Sequence, residues 1–333
     1  MTLDTAYCFA ADLGGTKLAA AIADGRGRIL AESTEPTDPR GGARVAEQIT
    51  ASADKLAQAV GIDAQRLHHV TVGVPGAIDP LTGRISLTPN IVGLQDFDVL
   101  RYLRDRFGPD VVIENDVNLA MVGEQTLGCA SQCRNAAFLA LGTGTGLGLL
   151  IDGKLFRGAR GTAGEIADLP VGRDPMSQTP FPGGSFELEV GSSAIVNRYR
   201  RQGGTAAATV RDIFRLLEQG DEIAAGVLDT TARWVALAIA TLQSLLDLEL
   251  IVLGGSIGVR PELYVRVQRT LPALFSRPVS IAPSQLGDRA GLIGAVCAAA
   301  QALRQHQEPA PRAATALSRQ AGRDGSAESH PGE

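Results

Sequence analysis

Asp12-Leu-Gly-Gly-Thr-Lys17 decides the fold, because it closes one apolar strand and opens another. Residues 6–13 are small or apolar and end in Gly14-Gly15. Residues 18–24 continue as a second strand, and Gly25-Arg26-Gly27 turns the chain into a third over 28–33. The result is a hairpin meander that opens on a glycine turn. Glycines at such a turn let backbone N–H groups approach an anion without side-chain clash.

The same pattern returns further along. When Gly14 is laid on Gly142, Leu13 falls on Leu141, Asp24 on Asp152, Gly25 on Gly153 and Arg26 on Lys154. Each half therefore opens with strand, glycine turn, strand, Asp-Gly turn, strand. The agreement of turn types in place points to an internal duplication.

Between the two openings, periodicity predicts a helix over 43–60 and a strand over 69–74 ending in Pro75-Gly76. A polar loop to about Leu94, a helix near 98–106 and a strand at 111–113 follow, then a helix over 117–126. The second opening uses strands 136–141 and 147–151. Helices are expected near 194–201, 210–218 and 221–246, then a buried strand at 249–253 ending in Gly254-Gly255. A helix over 261–275, a short strand at 279–282 and a last helix over 290–304 complete the ordered chain. Residues 306–333, rich in Pro, Gly and polar side chains, read as a disordered tail.

With 333 residues the chain is long for one core and comfortable for two lobes. The expected division is an α/β lobe over 1–117 and a second over 118–290. Residues 291–305 form a helix returning to the first lobe, and 306–333 are the tail. Aromatics make up 4% of the chain, so the core rests on Ala, Val, Leu and Ile. A net charge of −5 without a basic stripe argues against nucleic acid as a partner. The four cysteines and four histidines do not cluster at metal-ligand spacings. The N-terminus lacks the pattern of a signal peptide, and no stretch approaches 18 clean apolar residues, so a cytoplasmic protein without membrane contact is expected.

Two familiar nucleotide motifs do not fit. Gly142-Thr-Gly144-Thr-Gly146 precedes a strand and has the wrong spacing for a dinucleotide fingerprint. Gly148 to Lys154 nearly matches a P-loop, but Leu155 stands where a hydroxyl residue would hold magnesium. What remains is a pair of strand-turn-strand phosphate clamps. Gly14, Gly15, Gly142 and Gly144 would present backbone donors, Thr16, Thr143 and Thr145 hydroxyls, and Lys17 a charge. Gly254 and Gly255 would add a third turn. Asp12, at the end of the first strand, would hold a hydrated magnesium ion, because a hard cation prefers carboxylate and water oxygens. The alternative is that these are structural hairpin turns without a ligand.

Glu114-Asn115-Asp116-Val117-Asn118 lies between a strand and a helix. Phosphoryl transfer to an alcohol needs a carboxylate to orient the hydroxyl and take its proton. Asp116 is the candidate, and Asn115 would bond a neighbouring sugar hydroxyl. The competing reading makes Asp116 a helix cap.

With these stretches in hand, the chain resembles the ROK family of sugar kinases and sugar-responsive repressors. The matching segments are ADLGGTKLAAAIAD, VGVPGAIDPLTGRI, TPNIVGL, IENDVNLA, LALGTGTGLGLLIDGKL, GTAGEI, LELIVLGGSIG and LGDRAGLIGA. The resemblance implies an actin-like, ribonuclease H-like α/β fold of two duplicated lobes. It implies sugar in the cleft, ATP with Mg2+ across the glycine turns, and a homodimer. It makes Asp116 the general base and Asn90, Asn115 and Glu165 sugar ligands. A further glutamate matches Glu187, with Glu189 close enough to compete.

The chain departs from the family at Gly164-Glu165-Ile166-Ala167-Asp168, where Asp168 stands in place of a zinc-binding histidine. The loop over 170–185 carries no Cys or His, so no zinc is expected. Glu165, Asp168 and Glu187 would form an acidic rim that favours a neutral or cationic sugar, unless Asp168 points elsewhere. Two functions follow: a glucokinase-like kinase acting on a hexose or its N-acetyl or amino form, or a catalytically weak sugar sensor. Repressors of the family carry a helix-turn-helix domain ahead of the first glycine turn, and none fits before residue 6.

Overall fold

The computed structural model describes residues 6–88, 90–171, 184–204 and 208–307. Most of the expected loop at 170–185 and the tail beyond 307 lie outside these residues.

The first half begins with the meander β1 (Tyr7–Leu13), β2 (Lys17–Asp24) and β3 (Ile29–Pro36). Helix α1 (Gly42–Ala59), β4 (Leu67–Val74), the small hairpin β5 (Ala77–Ile78) and β6 (Ile85–Ser86), α2 (Val99–Phe107) and β7 (Val111–Asn115) follow. Helix α3 (Asp116–Leu127) leads to the second meander, β8 (Ala136–Leu141), β9 (Thr145–Ile151) and β10 (Lys154–Leu155). The helices α4 (Glu187–Val190), α5 (Ser192–Arg201), α6 (Val210–Glu218) and α7 (Glu222–Leu246) come next. Strand β11 (Leu250–Gly254), α8 (Gly255–Gly258), α9 (Pro261–Leu274), β12 (Ile281–Pro283) and α10 (Ala290–Gln307) complete the chain.

The two large sheets share one topology. The first runs β3-β2-β1-β4-β7 and the second β10-β9-β8-β11-β12. In each, the meander pairs antiparallel, its first strand pairs parallel with the next long strand, and that strand pairs parallel with the last. The repeated turns in the sequence thus mark repeated sheets.

Strand alternation distributes β1 between two layers. Phe9, Ala11 and Leu13 enter the core shared with α1 and α2, while Cys8 and Ala10 join Ala19 and Ala21 against Leu292, Ala295 and Val296 of α10. The alanine face admits α10 closely, which explains how a core so poor in aromatics fills its space. Helix α3 instead packs Ala120 and Met121 on Phe138, Leu150 and Val252 of the second sheet. Helices α3 and α10 cross each other between the sheets: a Cβ on Gly294 would lie 1.7 Å from the Leu119 carbonyl oxygen.

Several expectations need correction. The region 77–86, read as loop, contains the β5–β6 hairpin. Gly255 leaves the strand and starts α8, with φ +73. Helix α10 extends through 307, two residues into the expected tail. Helix α7 is long and apolar enough, by length and composition, to cross a membrane, although Asp229 and Arg233 interrupt its apolar run. Its apolar face, including Val227, Leu228, Val235 and Ile239, is buried in the core beside the second sheet.

Candidate active site

Strands β1, β4 and β7 run parallel, and Asp116 follows directly at the C-terminal edge of the sheet, where open α/β sheets place their ligands. Asn115 is the cap of α3: its side-chain oxygen accepts the N–H groups of Val117 and Asn118, at 2.9 and 3.0 Å. Its amide donates to the Gly76 carbonyl at 3.0 Å. Capping therefore falls to Asn115, and Asp116 is the first helical residue.

Asp116 lines a cleft of about 790 Å³ together with Gly15, Asn90, Asn115, Gly144, Thr145, Glu165, Asp168 and Glu187. Residues of both halves thus meet in one cavity. Burial pushes the Asp116 carboxyl from its usual 3.8 to about 8, and the charges of Asp12 and Glu165 add to the shift. Burial also raises Glu165, helped by Asp168 and Glu187, and raises Glu187, helped by Asp168. The acidic rim read from the sequence is therefore assembled, with Asp168 in it. Glu187 reaches the cleft, whereas its competitor Glu189 is buried against Arg198 at 2.6 Å.

Asn90 stands between the two glycine turns. A Cβ on Gly15 would lie 3.1 Å from Asn90 Cβ, and one on Gly144 would lie 3.9 Å from Asn90 Nδ2. In the first turn the Gly14 N–H donates to the Lys17 carbonyl at 2.8 Å. In the second the Gly142 N–H donates to the Gly144 carbonyl at 3.0 Å. The N–H groups of Gly15, Thr16, Thr143 and Gly144 have no hydrogen-bond acceptor among the described residues. Such open amide pairs fit the phosphates of a nucleotide.

Four further residues expected at the phosphates are held differently. Thr145 donates its N–H and hydroxyl to Glu187. Lys17 donates to the Asp288 carbonyl at 3.3 Å, at the foot of α10. Gly254 packs against the Phe138 ring and Gly255 against the Leu141 carbonyl, outside the cleft lining. Their neighbour Ser256 faces Gly142, so the third glycine pair abuts the second turn.

Asp12 continues the β1 face that meets α10, and its carboxylate lies against Gly291. Burial raises it to about 6, opposed by the Lys17 charge. A nearby cation would restore its ionised form. A single carboxylate beside open phosphate donors fits a magnesium ion bound through water.

The sequence reading missed Glu114. It is buried, accepts the Asn115 N–H and the Asn118 amide on one oxygen, and accepts Arg157 Nε at 2.6 Å on the other. A charge at the end of an apolar strand was the available signal.

Duplicated sheets around a cleft floored by a carboxylate define the class, an actin-like ATP-dependent sugar kinase. The chain belongs to the ROK family, whose pattern matches residues 8–302. A glucokinase of Streptomyces coelicolor is 30% identical over 311 residues, covering 85% of this chain and 94% of the relative. An N-acetylmannosamine kinase of Yersinia pseudotuberculosis is 31% identical over 292 residues, covering 86% and 96%. Among solved structures, a ROK glucokinase of Streptomyces griseus in complex with glucose and AMPPNP superposes with a TM-score of 0.74 at 27% identity, covering 89% of this chain and 99% of that one.

Proposed function

We propose that the chain phosphorylates a hydroxyl of a neutral hexose, or of its N-acetyl or amino form, with Asp116 as general base. The observation that carries this reading is the position of Asp116: a raised carboxyl at the sheet edge, in the cleft that also holds Glu165, Asp168 and Glu187. A carboxyl titrating near neutral pH is matched to taking a proton from an alcohol as the bond to phosphorus forms. The attacking oxygen gains the γ-phosphoryl group of ATP, Asp116 gains the proton, and ADP leaves. The open amides of Gly15, Thr16, Thr143 and Gly144 orient the phosphates. Magnesium, held through water by Asp12, would neutralise phosphate charge.

Asn90, Asn115, Glu165, Asp168 and Glu187 bind the sugar hydroxyls. Four carboxylates line the cleft and its described lining holds no basic side chain, which disfavours sugar acids and sugar phosphates. The kinase relatives support the reaction. A homodimer is part of the proposal, and light scattering would test it.

The decisive experiment measures ADP release across hexoses, their N-acetyl and amino forms, pentoses, sugar acids and sugar phosphates. Turnover on a neutral or amino sugar is expected. A preference for an anionic sugar would overturn the assignment of the acidic rim, and turnover on none would overturn the kinase reading.

A further inference from the structure

We infer that the Glu114–Arg157 ion pair is a positioning device that holds Asp116 and Glu165 in register across the cleft; the roles of those two residues rest on the function proposed above.

Glu114 controls the chain on both sides of Asp116. One carboxylate oxygen accepts the Asn115 N–H at 3.0 Å and the Asn118 side-chain amide at 2.9 Å. Asn115 caps α3 and bonds Gly76, so the bonds of Glu114 fix the strand end and the first helical turn together. The second oxygen reaches out of the first half, to Arg157 Nε at 2.6 Å.

Arg157 begins the loop that delivers Glu165. Its carbonyl accepts the Ala163 N–H at 3.1 Å, which closes the loop on itself. The loop's far end is tied to β9 by the Leu147 N–H on the Gly164 carbonyl, at 3.1 Å. Its tip touches the first half a second time: a Cβ on Gly161 would lie 1.9 Å from the Ile78 carbonyl oxygen. The residue after Gly164 is Glu165. One ion pair therefore joins the segment that carries the base to the segment that carries a sugar carboxylate.

The electrostatics favour this role over simple surface decoration. Glu114 is 7% exposed, and a buried carboxylate is costly unless its lone pairs are satisfied. Removing Arg157 leaves that carboxylate with two neutral donors, both on the strand end and first helical turn that present Asp116, so its rearrangement acts on that segment.

The test compares Arg157→Met, Arg157→Lys and Glu114→Gln in the full chain, with melting temperatures recorded alongside. Hydrogen exchange is followed over residues 111–120 and 156–166, and kcat and KM are measured separately. In Arg157→Met, exchange should speed up in both segments. Its kcat should fall by about tenfold or more, since small misplacements of reacting groups are this costly, with the KM for ATP within about twofold. Arg157→Lys should recover most of kcat, which a loss through stability alone would not produce at equal melting temperature. Faster exchange in the 156–166 segment alone, or a kcat within about twofold of wild type, would overturn the inference. If the wild-type protein shows no sugar-dependent turnover, the kinase reading fails, and the exchange measurement still decides whether the pair couples the two segments.

Discussion

The Glu187 carboxylate accepts the Thr145 backbone N–H at 2.8 Å and the Thr145 hydroxyl at 3.3 Å. The second glycine turn and the acidic rim are thereby joined: a residue expected at the phosphates holds one expected at the sugar. Between them lies Gly144, where a Cβ would stand 3.0 Å from Glu187 Oε2. Gly144→Ala must displace that carboxylate or the turn. The expected outcome is a fall in kcat/KM for the sugar of about tenfold, roughly 1.4 kcal/mol of transition-state stabilisation. Steady-state kinetics with sugar and ATP varied separately checks it; unchanged kinetics would show that the contact is incidental.

Asp116→Asn keeps the side-chain shape and an acceptor for the Val117 N–H, which Asp116 Oδ1 receives at 2.9 Å. It removes the proton acceptor. General-base catalysis is typically worth about 10²–10⁴ in rate, so kcat should fall by that range. ATP affinity, measured by calorimetry, should stay within about threefold. Equal turnover by the two proteins would remove Asp116 from the mechanism.

The same residue predicts a pH-dependent stability. The Asp116 carboxyl is raised from 3.8 in the unfolded chain to about 8 in the folded one, chiefly by burial. Below pH 4 both states are protonated, and the group adds no pH dependence. Between 4 and 8 the folded state binds more protons, so stability falls as pH rises through this window and levels off above it. Asp116→Asn cannot ionise and escapes the loss. At pH 8.5 the variant should be more stable than wild type by about 2 kcal/mol, less than the roughly 1.4 kcal/mol per unit would give for a group shielded from water. At pH 4 the two should agree. Denaturant melts at both values decide it, and a variant advantage that is the same at both would contradict this titration.

Local signals were legible in the chain wherever they repeat. Strand β8 and helix α6 fall on 136–141 and 210–218 as expected, because a continuous apolar run ending in a glycine turn marks the first and unbroken helical spacing marks the second. The duplicated sheets followed from glycine turns that recur in place. The β5–β6 hairpin was missed because two-residue strands have no period to detect. The links that build the cleft were invisible for a different reason. Glu114 and Arg157 are 43 positions apart, and Thr145 and Glu187 are 42 apart, so the first pairing exists only once the two halves meet and the second only once the later half has folded. Asn115 and Asp116 were found together, but which of them caps α3 depends on backbone geometry that the residue types leave open.

The crossing of α3 and α10 gives a last prediction, because it sets where Asp116 and Asp12 stand. Helix α3 begins at Asp116, and α10 presents Gly291 to Asp12. Where the helices touch, a Cβ on Gly294 would overlap the Leu119 carbonyl at 1.7 Å and the Gly123 nitrogen at 3.1 Å. Both are backbone atoms of a packed helix, so no side chain can rotate away and the helices must part. Gly294→Ala should therefore destabilise the protein by about 3 kcal/mol, the upper range for overpacking. Gly226 in α7 is the control: its nearest neighbour would be Gln202 Oε1 at 4.0 Å. With space available, Gly226→Ala gains helix propensity and should stabilise by about 0.5–1 kcal/mol. Opposite shifts in the melting temperature are expected from the same chemical change. If Gly294→Ala melts as wild type, the helices are not in backbone contact and α10 does not hold α3 in place.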